Sequence, residues 1–185
     1  MFLPGRTLFF LLSIFLTAPA HASLIFVNTA NDELNSDGDC SLREAVEFAN
    51  SNAAVDGCTG GQSVQTDAIF FTVGDEIVLS PGLSPLIITD RVNLVGSGRE
   101  TTIISQVSTI QLFLVNMADP THDVEFSQMT LRNGHAVPGL YGGAVRLMDG
   151  DRFEFRDVAF IDNTTQRLAQ PRKAGREGVQ FSPAH

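Results

Sequence analysis

Hydrophobic positions along this chain come in three textures. Thr7 to Leu16 (TLFFLLSIFL) is one continuous apolar run. Leu42, Ala45, Val46 and Ala49 fall at i, i+3, i+4 and i+7, the spacing that places them on one face of a helix. Elsewhere the apolar runs are short. Leu24 to Val27 reads as a first strand, and from Asp67 onward brief runs alternate with Gly, Asp and Asn turns. Ile69-Phe70-Phe71, Ile77-Val78-Leu79, Leu86-Ile87-Ile88, Val92-Asn93-Leu94, Ile103-Ile104 and Leu112 to Val115 come first. Val124-Glu125-Phe126, Met129-Thr130-Leu131, Ala144 to Leu147, Phe153-Glu154-Phe155 and Val158-Ala159-Phe160 continue the series. Strands this short and regular belong to a sandwich, a barrel or a solenoid.

An internal repeat selects the solenoid. Val124 to Gly134 (VEFSQMTLRNG) aligns without gaps on Phe153 to Asn163 (FEFRDVAFIDN), an offset of 29 residues, and a weaker copy, Val92 to Gly96, lies 32 residues before Val124. Periods of this size mark units that stack on one another. The expected fold is therefore mostly β: a parallel β-helix of few coils, preceded by a small strand-loop-helix cap. Val92 and Leu94, Val124 and Phe126, and Phe153 and Phe155 should point inward and pile up between coils. Asn133 and Asn163 are expected to form an amide ladder at a turn. A Greek-key sandwich is the competing architecture.

The helix carries its own start signal. Ser41-Leu42-Arg43-Glu44 matches a capping box, in which the Ser41 hydroxyl and the Glu44 carboxylate satisfy free backbone donors reciprocally. Cys40 lies just before this helix and Cys58 in the loop after it, so a bridge between them would pin both ends.

The first apolar run changes the setting. Arg6 before it and Ala20-His21-Ala22 after it complete a secretory signal over residues 1–22, cleaved before Ser23 and too short to span a bilayer. Export places the chain in the medium or at the cell surface, where two cysteines form a disulfide. Residues 23–65 then read as the cap module and 66–165 as the coils. Residues 166–185, with Arg167, Arg172, Lys173 and Arg176 against Glu177, two prolines and no alternation, read as a disordered or truncated tail. Coils left without a C-terminal cap invite self-association.

Charge narrows the function classes. The 185 residues hold 21 acidic and 12 basic side chains, a net charge of −9, which argues against nucleic acid. Glu33, Asn35, Asp37 and, after Gly38, Glu44 approximate the spacing of a calcium loop, although Glu44 is already engaged by the capping box. No other cofactor is implied. Asp157 and Asp162 with Arg132 and Arg156 are the local candidates for polysaccharide hydrolysis or elimination, but no paired carboxylates support them. His122 and His135 lack metal spacing, and Tyr141 offers almost no sugar-stacking platform. The reading leans away from catalysis.

Asp39-Cys40-Ser41-Leu42-Arg43-Glu44-Ala45-Val46, with Asn50 near the helix end and Phe26-Val27-Asn28-Thr29 leading in, resembles the CSLREA domain of exported bacterial β-helix proteins. Gly142-Gly143-Ala144-Val145 is similar to the turn-strand element of the coils in that family. The resemblance implies a right-handed β-helix like that of pectate lyases and polymorphic outer-membrane proteins, and it implies no activity. The expected role is a structural or adhesive surface module whose coils offer a face to a glycan or surface protein. The alternatives are a polysaccharide lyase or hydrolase fragment and an inactive truncated product. Clustering of Asp157, Asp162 and Arg156 in one groove would favour the enzyme.

Overall fold

The computed structural model describes residues 23–60, 65–117, 119, 121–136, 142–148 and 152–165. The expected signal segment, residues 1–22, the expected tail, residues 166–185, and Tyr141 lie outside the described residues. Within them the chain is a parallel β-solenoid of about three turns with one short helix.

β1 (Leu24–Val27) is the first rung. α1 (Leu42–Ser51) follows, and then three coils of three strands each. The first coil is β2 (Asp67–Phe71), β3 (Ile77–Leu79) and β4 (Leu86–Ile88). The second is β5 (Val92–Val95), β6 (Ile103–Gln106) and β7 (Phe113–Val115). The third is β8 (Asp123–Arg132), the short β9 (His135–Ala136) and β10 (Val145–Leu147). β11 (Arg152–Ile161) and β12 (Thr164–Thr165) begin a fourth. Every pairing between these strands is parallel: β2 lies on β1, β5, β6 and β7 on β2, β3 and β4, β8 on both β5 and β6, β10 on β7, β11 on β8 and β12 on β9.

The register is the one the repeat predicts. Val124 pairs with Phe153 and Val92 with Val124, the 29- and 32-residue offsets. Val124 and Phe153 thus share one face of the coil, which excludes the sandwich. Ile25, Ile69, Leu94, Phe126 and Phe155 form one inward column. Leu86 with Phe113, and Ile88 with Val115, form others on the third face. Burial of alternate residues follows from the two-residue period of a strand. Phe126 carries aromatic contacts on two sides: Phe113 edge-on with centroids 5.0 Å apart, and Phe155 stacked at 5.5 Å.

β8 and β11 are long because each turns a corner without leaving the ladder. Gln128 and Asp157 adopt left-handed backbone at the equivalent point, with φ of 54° and 53°. One coil earlier that corner is looser, and Gly96 donates to the Ser127 carbonyl at 2.8 Å. A side chain on Gly96 would overlap the Gln128 carbonyl, so glycine is required for this approach.

The expected amide ladder does not form. Extending the Arg132↔Ile161 pairing by one residue sets Asn133 beside Asp162, and both take left-handed corners with φ of 59° and 52°. Asn163 is one position further on. It reaches back a coil, donating through Nδ2 to the Leu131 carbonyl at 2.8 Å and accepting from the Gly134 amide at 2.8 Å. Its amide therefore satisfies main-chain groups rather than another amide.

Candidate functional site

The cap is an insertion between β1 and β2, which remain paired across it from Leu24↔Ala68 to Val27↔Phe71. Its helix is amphipathic. Leu42, Ala45, Val46, Phe48 and Ala49 are buried against the first coil.

Ser41 caps the helix. Its hydroxyl accepts from the Glu44 amide at 3.2 Å and donates to the Glu33 carbonyl at 2.8 Å. Glu44, 0% exposed, returns Oε2 to the Ser41 amide and offers Oε1 to the Asn35 amide, both at 3.0 Å. The same carboxylate thus closes the helix and holds the acidic loop. Cys40 and Cys58 are joined with Cα atoms 4.7 Å apart. Gly57 donates to the Asp39 carbonyl at 2.9 Å, an approach that a side chain would block.

Arg43 and Asn50 bind the cap to the first coil. The Arg43 guanidinium grips Asp32 through two hydrogen bonds of 2.7 and 2.9 Å and donates a third to the Ser84 carbonyl at 3.1 Å. Asp32, its side chain 0% exposed, also accepts from the Ser80 amide at 2.6 Å. Asn50 copies a strand's hydrogen bonding with its side chain, donating to the Ile87 carbonyl at 2.7 Å and accepting from Thr89 at 2.8 Å.

The acidic loop closes on itself. Asn35 Nδ2 donates to Glu33 at 2.8 Å and to Asp37 at 3.1 Å, standing between two carboxylates that would otherwise repel. Asp56 accepts from the Asp37 and Gly38 amides at 3.1 and 2.9 Å. Of the four expected calcium ligands, Asn35 turns donors toward its neighbours, and Glu44 has both oxygens on backbone amides. The carboxylates that converge are Glu33, Asp37 and Asp39, and separately Asp39, Glu44 and Asp56. The spacing pattern had left out Asp39 and Asp56. Burial, then the charges of Asp37 and Glu33, push the Asp39 carboxyl above its usual range. The Asp39 amide, and then Asn35, hold Asp37 below it.

The candidate catalytic charges separate. Arg156 lies on Glu154 at 2.6 Å and near Glu125 at 3.5 Å, Asp157 pairs with Arg99 at 3.0 Å, and Arg132 pairs with Glu76. Asp162 occupies a separate left-handed corner. Glu125, Glu154 and Arg156, with Asn93, Asp123 and Arg152, line a shallow polar groove of about 170 Å³ on the outer face. A larger cleft of about 640 Å³ runs between α1 and β4, where Leu34, Leu83 and Ile87 are exposed.

Two polar clusters have no signature in the sequence spacing. His122 Nδ1 lies 3.0 Å from Asp90, and Arg91 reaches its Nε2 at 2.7 Å. Arginine can only donate, so Nε2 accepts from Arg91, while Nδ1, though close to Asp90, makes no hydrogen bond to it. The second cluster is Asp67 with Ser23. Its only trace in the sequence is an acid heading β2 where later coils place valine or phenylalanine. No family model, curated protein or solved structure matches the chain.

Proposed function

We propose that the protein is an exported module of the CSLREA type with a structural or adhesive role, presenting its outer faces to a glycan or surface protein. One observation carries this reading: Cys40, Ser41, Arg43, Glu44 and Asn50 are all spent on building the cap and clamping it to the first coil. A motif consumed in this way is a folding device, and binding is then left to the exposed faces. The division of Arg132, Arg156 and Asp157 among separate ion pairs supports binding over catalysis, because acid-base chemistry needs its carboxylates around one substrate. The disulfide supports export, since such bonds persist in oxidising compartments. Among the described residues, no helix is long and apolar enough to cross a membrane.

The test passes the purified exported protein over immobilised acidic and neutral polysaccharides and over surface-protein extracts, and assays the same polysaccharides for cleavage. Retention without new reducing ends or unsaturated products is expected. Product release that is lost in Asp157→Asn would replace the module with an enzyme.

A further inference from the structure

The inward column that contains Asp67 breaks its own rule once. Through the register, the position of Asp67 is taken by Val92, Val124 and Phe153 in successive coils. An apolar side chain therefore fits there, yet the first coil places a carboxylate, 1% exposed. Above it lies Ser23, also 1% exposed and docked on the sheet by accepting from the Ala68 amide at 2.9 Å. The Ser23 nitrogen donates to Asp67 Oδ1 at 3.0 Å, and the Ser23 hydroxyl gives the same carboxylate a second hydrogen bond. Asp90 and Arg91 are the other charges that act on Asp67, and they oppose each other. Burial is the largest influence on its carboxyl and pushes it up. A peptide N–H and a hydroxyl compensate a buried carboxylate poorly, whereas a cation at the same nitrogen would compensate it well.

We propose that cleavage after Ala22 makes Ser23 the mature N-terminus, and that its α-ammonium becomes a buried structural cation paired with Asp67. This rests on the export reading above. A processing endopeptidase hydrolyses the Ala22–Ser23 amide while the chain is still unfolded. The C–N bond breaks, the hydroxyl of water goes to the Ala22 carbonyl carbon, and its proton goes to the Ser23 nitrogen. The new amine, with an ordinary pKa of about 7.7–8.0, takes one further proton at neutral pH. Folding then sets the ammonium where the peptide N–H lies now. The folded pair is specific to a chain that begins at Ser23. One residue more or fewer moves the charge by about 3.5 Å along the strand and off Asp67.

Intact-mass analysis of the exported protein tests the processing step, with Ser23 expected as first residue and any other start overturning the site. The pairing is tested separately on protein beginning at Ser23. Its primary amines are that terminus and Lys173, so acetylation of the unfolded chain near pH 6.5 selects the terminus before refolding. Acetylation should raise the unfolding constant about 5- to 10-fold in the parent protein, as expected when a charged hydrogen bond becomes a neutral one. In Asp67→Asn the same modification should change it less than about threefold. Equal effects in both proteins, or none in the parent, would overturn the pairing. An amine-reactive ester should label the Ser23 amine at least about tenfold more slowly in the folded parent protein than in the same protein unfolded in urea. Equal rates would overturn burial of the ammonium.

Discussion

The two ends of the solenoid treat the same problem differently. A coil exposes its inward side chains unless something covers them. At the first rung α1 does so, with Phe48 1% exposed and Leu42 0%. At the last described rung the inward column continues into Phe155, 39% exposed, and Phe160, 50% exposed, and no further strand among the described residues lies over β11. Phe155, Phe160, Leu147 and Val145 line an apolar cavity of about 260 Å³ there. The cap end is also cross-linked and clamped by Arg43 and Asn50. At the first rung, then, the stack is covered by an element with one apolar face and hydrogen bonds of its own.

The sharpest break of this contrast is a matched pair of truncations. Phe48→Ala should cost about 3–5 kcal/mol, because it empties a sealed site. Phe155→Ala should cost only about 1–2 kcal/mol, because much of the ring already meets solvent. Urea unfolding of both proteins measures the difference, and equal costs would erase the contrast. Next comes the cross-link. Replacing Cys40 and Cys58 together by alanine should lower stability by about 3 kcal/mol in the chain-entropy account, read by the same unfolding curves.

At the last described rung the expected effect is on association rather than on stability. Phe160→Glu should reduce any concentration-dependent growth in sedimentation, while a charge on the outer face, such as Val95→Glu, should not. The smallest effect concerns the acidic loop. The raised Asp39 carboxyl means that the folded chain holds this proton more readily than the unfolded chain. Ionising it as pH rises through the raised value therefore costs stability. Asp39→Asn should raise the Tm at pH 7, by less than about 2 °C. The gain should vanish in acid below the ordinary carboxylate range, where both states are protonated. Thermal scans across pH check the sign.

Much of the scaffold was legible because its signals are periodic or local. Inward valines, leucines and phenylalanines recur every second residue and again about 30 residues on. The capping box spans four residues. The site was less legible. Asp32 with Arg43 and Ser80, Asn50 with Ile87 and Thr89, and Asp67 with Ser23 are pairings across inserted loops, and no spacing rule connects such partners. The Asn133–Asn163 ladder failed for a related reason. Composition matched two asparagines, whereas pleat and register, which tolerate no slip of one residue, placed Asp162 beside Asn133.

By itself the sequence determined which residues face inward, that the coils repeat, and where the helix begins, since these depend on backbone periodicity and near-neighbour hydrogen bonds. Only the tertiary structure decided which carboxylates converge, how the cap grips the first coil, and that a buried acid lies beneath the Ser23 nitrogen. Those depend on distances between residues far apart in the chain, which the winding of the coils sets and the order of amino acids does not display.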